Sequence, residues 1–318
     1  MFKTISPRRR ALLLLTALAL AAPAGAAQAA RPLQAVASFS ILGDMVREVG
    51  GPDVQVSVLV GPDGDAHEYE PTPGDVKTLA AAQVLFVNGL AFEAWLPGLV
   101  KSSGFKGRTV VASQGVTPRR FEAGEDHGHD GHDHDHGQAH SHGDLDPHAW
   151  QNLANGVIYV RNIAEGLAAA DPAHAEAYRR RAEAYAARLQ ALDASLRKTF
   201  AAIPAERRKV VTSHDAFGYF GEAYGVSFLP VAGISTDAEP SAGDVARLIE
   251  QVRREHVPAV FVENISSPRL VQQIARETGA KVGGTLYSDA LSKPGRPAAT
   301  YLEMFEWNAS QLAAAMQP

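Results

Sequence analysis

Lys209-Val210-Val211-Thr212-Ser213-His214-Asp215-Ala216-Phe217 sets a short β-branched run, a polar turn and an apolar helical pattern end to end. This is how a strand reads when it leads straight into a crossover helix. Working outward, the same rhythm recurs. Strands are predicted at 209–213, 226–231, Ala259–Glu263 and Lys281–Leu286, with helices over 216–224, 242–255 and 268–278. Upstream, Leu33–Phe39, Val54–Val60, Val84–Val87 and 109–112 read as strands, and 41–49 and 75–82 as helices. Alternation of this kind predicts an α/β fold of two lobes with mainly parallel sheets, covered on both faces. The two halves share a rhythm but no sequence repeat.

Between the halves, Asp171-Pro172 has the N-cap and N1 signature of a helix that should run to about Ala202, before Pro204. Tyr178, Ala182, Tyr185, Leu189, Leu192, Leu196 and Phe200 recur along it at three- and four-residue intervals. This stripe is read as the face by which one long rigid helix packs on both lobes. The domain plan is a leader at 1–29, an N-terminal lobe at 30–155, a linking helical segment at 156–205 and a C-terminal lobe at 206–318.

The leader follows from residue order. A basic start (Lys3, Arg8, Arg9, Arg10), an apolar run over 11–22 and the small-x-small site Ala27-Gln28-Ala29 form a secretory signal peptide. The apolar run is shorter than the ~20 residues a membrane helix needs. Arg8-Arg9-Arg10 leaves general and twin-arginine export both open. The chain has no cysteine, so disulfides, thiolate ligands and a lipid-anchored N-terminal cysteine are not expected. A periplasmic protein, not lipid-anchored, is the expectation. Taking the four leader charges from 30 basic residues leaves 26 against 35 acidic, a net charge of −9. Such a surface does not suit nucleic acid, whose phosphates demand clustered Lys and Arg.

From Glu125 to Asp146 the chain is almost wholly His, Asp and Gly, and an accessory loop is assigned to 125–143. His127, His129, His132, His134, His136, His140 and His142 lie in it. Too little apolar surface is present to offset the entropy of ordering. Clustered imidazoles with interleaved carboxylates bind divalent transition metals loosely and in many arrangements, so the segment reads as a metal collector.

Five histidines remain. His174, near the start of the long helix, and His256, in a charged helix end, read as surface residues. The other three fall where ligand sites form in open α/β sheets, beyond the carboxyl ends of strands. His67 lies in the turn-rich loop after Val54–Val60, and His214 closes strand 209–213 and opens the next helix. His148 follows Asp146-Pro147, which places it in the first turn of a helix with Asp146 as N-cap. Asp289 follows the Lys281–Leu286 strand. Three imidazoles and one carboxylate can close a tetrahedral shell on Zn²⁺. The positive ends of two helices would keep His148 and His214 neutral but also oppose a cation.

The run His67-Glu68-Tyr69-Glu70-Pro71-Thr72-Pro73, the box Asp146-Pro147-His148-Ala149-Trp150, the segment Ser213-His214-Asp215-Ala216-Phe217 and Ser288-Asp289 together resemble the zinc-specific, ZnuA-like members of the metal-binding receptors of bacterial ABC importers. The resemblance covers essentially the whole chain beyond the leader. It implies two Rossmann-like lobes, a metal cleft between them, and His67, His148, His214 and Asp289 as ligands. It also implies high-affinity Zn²⁺ capture and delivery to a cognate ABC permease in the inner membrane. In manganese-selective relatives the third position is typically a carboxylate; His214 stands there in this chain, and imidazole suits zinc. Many zinc relatives carry a disulfide in the C-terminal lobe, which a cysteine-free chain must replace by packing. A monomer is expected, and a periplasmic zinc chaperone stays open as donor. Ligand histidines must shed their protons, so affinity should fall as pH drops through about 6.5.

Two rivals belong to other classes. A His-rich zinc storage protein or metallochaperone would bind several ions weakly and lose them with the loop. A secreted zinc hydrolase, with Glu68 as base, would leave its fourth position open to water, whereas Asp289 fills it.

Overall fold

In the computed structural model, which describes residues 31–121, 145–233 and 240–317, two parallel sheets are built to one plan. The first contains β1 (Leu33–Phe39), β2 (Val54–Val60), β3 (Val84–Val87) and β4 (Arg108–Val111), in the order β2-β1-β3-β4. The second contains β5 (Lys209–Thr212), β6 (Ser227–Pro230), β7 (Ala259–Glu263) and β8 (Lys281–Leu286), in the order β6-β5-β7-β8. Every pairing is parallel. The first strand of each lobe sits inside, with the second on one flank and the third and fourth on the other. Pro230 is accommodated because β6 is an edge strand with no outer neighbour to receive a donor. The predicted strands all form, with ends shifted by up to a residue.

The predicted helices form as α1 (Ser40–Gly50), α2 (Pro73–Ala80), α6 (Gly218–Tyr224), α7 (Ala242–Arg254) and α8 (Arg269–Thr278). Two further helices, α3 (Leu96–Ser103) and α9 (Tyr301–Met316), were not predicted, and α4 (Leu153–Ala170) forms the first part of the expected linking helical segment. Helix α4 is buried on most of its circumference, from Leu153 and Tyr159 to Ile163 and Leu167, and is exposed along Arg161, Glu165 and Ala169. At Gly166 a side chain would begin 2.6 Å from Val110, which explains how α4 lies so close on the first sheet.

The long connector is α5 (Ala175–Ala201), 27 residues and about 40 Å of helix. Its predicted stripe is buried at Tyr178, Ala182, Tyr185, Leu189, Leu196 and Phe200, with Leu192 half-buried. Polar clamps fix both ends. Arg181 donates to the carbonyls of Val49 and Gly50 and pairs with Asp53 in the first lobe. Arg197 donates to the carbonyl of Ala223 in the second lobe, and the Tyr224 hydroxyl donates to Asp193. The start of α5 departs from expectation. Pro172–His174 forms a separate 3₁₀ turn because Asp171 ends α4, its amide bonding to Leu167. The Asp171 carboxylate accepts from His174 and Tyr178 instead.

One hydrophobic core runs through both lobes and α5. Smaller clusters lie under α2 and α3 and under α7 and α8. Among the described residues, no helix is long and apolar enough to cross a membrane. Leader residues 1–29 and loop residues 125–143 lie outside the described residues.

Candidate metal centre

Four chain segments end at one buried point between the lobes. His67 follows β2, His148 precedes a 3₁₀ turn at Ala149–Gln151, His214 follows β5 and Asp289 follows β8. All four are buried, and one donor atom from each lies within 4.8 Å of the others.

The donors form the edges of a small polyhedron. Nε2 of His67 and Nε2 of His148 are 3.2 Å apart. Asp289 Oδ2 lies 2.9 Å from His214 Nε2 and 3.4 Å from His67 Nε2, and its Oδ1 lies 3.6 Å from His148 Nε2. A tetrahedral shell with metal–ligand bonds of about 2.0–2.2 Å has edges of about 3.3–3.6 Å. The four donors are therefore spaced for one small divalent ion. Asp289 Oδ1 has no hydrogen-bond partner among the described residues, although it is buried. An ion at the centre would satisfy it.

Two imidazoles are backed by carboxylates. Asp146 Oδ1 lies 2.8 Å from His148 Nδ1 and also accepts from the His148 amide. Glu263 Oε2 lies 2.6 Å from His214 Nδ1, and its Oε1 accepts from the His214 amide. A carboxylate only accepts, so with an ion at the centre Nδ1 would keep the proton and Nε2 would offer its lone pair to the metal. His67 has apolar support instead. The Phe92 ring packs edge-on against it at 4.8 Å, and Trp95 fixes its loop by donating to the Ala66 carbonyl. The loop then enters α2 through a capping box, in which Thr72 accepts from the Asp75 amide and Asp75 accepts from the Thr72 amide.

The box around His148 also holds the fourth donor. Trp150 Nε1 and Gln151 Nε2 both donate to the carbonyl of Ser288, at 2.9 and 2.7 Å. Two residues of the first lobe thus set the turn that carries Asp289 in the second.

Charge follows this layout. Burial pushes the His67 imidazole below its ordinary value, against the pull of Asp289. Burial would also lower His214, but Glu263 and Asp289 outweigh it and hold the imidazole well above its ordinary value. Burial would raise the Asp289 carboxyl, and the imidazoles of His214 and His148 instead keep it well below the usual carboxylate range.

The structure brings His67, His148, His214 and Asp289 together as the sequence suggested, but two local expectations fail. Asp146 is no N-cap: its carboxylate turns to His148 and Arg119, and Asn152 caps α4 by accepting from the Ala154 amide. His214 does not open a helix, since α6 begins only at Gly218. The helix-end field invoked for both histidines is therefore replaced by carboxylate partners. His174 and His256 stand away from the centre, His174 against Asp171 and His256 exposed at the end of α7. Glu68 is exposed. The seven loop histidines, His127 to His142, lie outside the described residues. Glu263 was missed, though the strand-end rule that pointed to Asp289 applies equally to the last residue of β7.

Comparison with known proteins agrees with this architecture. The sequence model of the family described as "ZnuA: Zinc-uptake complex component A periplasmic" matches residues 35–315. The manganese ABC transporter substrate-binding lipoprotein PsaA of Streptococcus pneumoniae is 31% identical over 287 residues, 88% of each chain. The iron-binding protein YfeA of Yersinia pestis is 32% identical over 284 residues, 89% of this chain and 86% of its own. The periplasmic zinc-binding protein TroA of Treponema pallidum superposes with a TM-score of 0.80 at 28% identity, over 90% of this chain and 100% of its own. The chain belongs to the ZnuA family of metal-binding receptors, the substrate-binding proteins that serve the permease and ATPase of ABC metal importers.

Proposed function

We propose that this receptor captures Zn²⁺ in the periplasm, holds it on His67, His148, His214 and Asp289, and delivers it to the permease of a zinc importer. The relatives' names divide among manganese, iron and zinc, so the choice of metal rests on the donor set. The observation that carries it is a buried group of three imidazole nitrogens and one carboxylate whose donor atoms lie within 4.8 Å of one another. Manganese favours oxygen donors and more of them; imidazole suits zinc. The shell is closed by four protein donors, which suits binding of cargo better than activation of water. Export by the 1–29 leader without a lipid anchor, the lobes at 30–155 and 206–318 with a 156–205 connector, and action as a monomer belong to the same proposal. The loop over 125–143 serves as an accessory collector, and a periplasmic chaperone is a candidate donor.

The test is metal titration, with zinc and manganese in direct competition, on the mature chain, a 125–143 deletion and His67→Ala. One tight zinc site that survives the deletion and collapses in His67→Ala is the expected result. Manganese or iron bound as tightly as zinc would overturn the metal assignment. Tight binding that disappears with the loop and ignores His67→Ala would point to storage or chaperone function instead.

A further inference from the structure

Besides the donor Asp289, the centre gathers two further carboxylates, Asp146 and Glu263, and none of the three side chains has exposed surface. Histidines bind metal as neutral imidazoles. With a divalent ion in place, three buried negative charges face two positive ones. An uncompensated buried charge is costly, so a further fixed cation is required nearby. Arg119 is there. Its Nη1 lies 3.2 Å from Asp146 Oδ2, on the carboxylate whose other oxygen meets His148.

Arg119 also spans the lobes. Its Nε donates to Glu222 Oε1 on α6 at 2.8 Å, and its backbone amide donates to the hydroxyl of Tyr219 on the same helix. The Tyr219 hydroxyl in turn donates to the Asp146 carbonyl at 3.2 Å, while the Asp146 amide donates to the Arg119 carbonyl. The segment that carries His148 is therefore held by a helix of the opposite lobe. Gly218 makes room for this: a side chain there would begin 2.4 Å from Arg119 Nη1 and 2.8 Å from Asp146 Oδ2.

We propose that Arg119 is a positioning residue for the metal, which ties the orientation of His148 to the contact between the lobes and supplies the charge that balances the loaded site. The inference rests on the four-donor site described above. A guanidinium suits the task because its planar fork reaches two carboxylates at once, which the point charge of lysine does not. Separation of the lobes would pull Glu222 from Arg119, loosen Asp146 and free the His148 ring, so that cleft opening and loss of a ligand become one event.

The experiment uses the full mature chain, Zn²⁺ competed against a chromogenic chelator, and Co²⁺ as spectroscopic probe. Arg119→Met should weaken Zn²⁺ binding ~10–100-fold, the usual cost of losing an outer partner of a ligand, and shift the Co²⁺ visible bands. Arg119→Lys should restore part of the affinity and keep a shifted spectrum. Glu222→Gln, at an exposed partner, should change affinity by less than about 5-fold. Parental affinity in Arg119→Met, or weakened binding with parental Co²⁺ bands, would overturn the proposal. If Arg119→Met does not fold, the Arg119→Lys spectrum decides in the same way. His67→Ala separates the two levels. Parental Zn²⁺ affinity there would sink the four-donor site itself, whereas loss of binding there with a parental Arg119→Met would sink only the role of Arg119.

Discussion

The two lobes share a strand order but hold the metal centre by different physics. On the N-terminal side the support is mainly aromatic, with Asp146 behind His148. Phe92 packs against His67 and Trp150, Trp150 packs against His148 and Phe39, and Trp95 fixes the loop of His67. On the C-terminal side the support is ionic, with Glu263 behind His214 and Asp289 in front of it. Shape dominates in one half of the site and charge in the other. A rigid aromatic wall keeps its form without metal, while a set of opposed charges changes its balance when the ion arrives.

The comparison is broken most severely at Trp150. Trp150→Ala removes a fully buried ring and one of the two donors to the Ser288 carbonyl. It should cost about 3–5 kcal/mol of stability and weaken metal binding as well, read by denaturant unfolding and titration of the same sample. A loss below 1 kcal/mol would mean that the aromatic wall is not what holds that half.

The joint between the lobes offers a sharper probe. Asp44 on α1 accepts from the Tyr301 amide at the start of α9, and burial pushes its carboxyl up to about 6. The folded protein thus binds this proton more tightly than the unfolded chain does. Its contribution to stability is largest below about pH 4 and is lost as pH rises through about 6, a change of about 3 kcal/mol at most. Asp44→Asn keeps an acceptor and removes the charge. The metal-free variant should therefore be more stable than the parent at pH 8, with the advantage vanishing near pH 4. Unfolding midpoints across that range check it, and parallel curves for the two proteins would refute it.

Glu263→Gln tests the ionic half alone. Metal affinity should fall ~10–100-fold with little change in the unfolding of the aromatic half. The least effect is expected on the thinly covered edge. Val282 on β8 is 51% exposed, and Val282→Thr should change stability by less than about 0.5 kcal/mol.

Much of this was legible in the sequence, and the limits are instructive. The eight strands could be read because β-branched runs bounded by turns announce themselves whatever they pack against. His67, His148, His214 and Asp289 could be singled out because parallel sheets put chemistry beyond their strand ends. Helix α3 went unread because its eight residues are too few to show a period, and α9 went unread although Glu303, Glu306 and Ser310 mark its exposed stripe. The partners of the ligands were harder still. Asp146 has the sequence context of an N-cap, and only the approach of Arg119 and the ring of His148 shows where its carboxylate goes. Arg119 has no signal at all, being a hundred residues from Tyr219 and ordinary in type.

The four donors are drawn from segments that run from His67 to Asp289, and the chain contains no cysteine. Held as proposed, the ion is a removable cross-link between lobes that no disulfide joins. Cargo at a thousand times its dissociation constant would add about 4 kcal/mol to the folded state, comparable with a disulfide. Unlike a disulfide, this staple leaves with delivery. The emptied receptor is thereby the softer of the two forms, and the difference in stiffness gives a permease a physical way to tell a loaded receptor from a spent one.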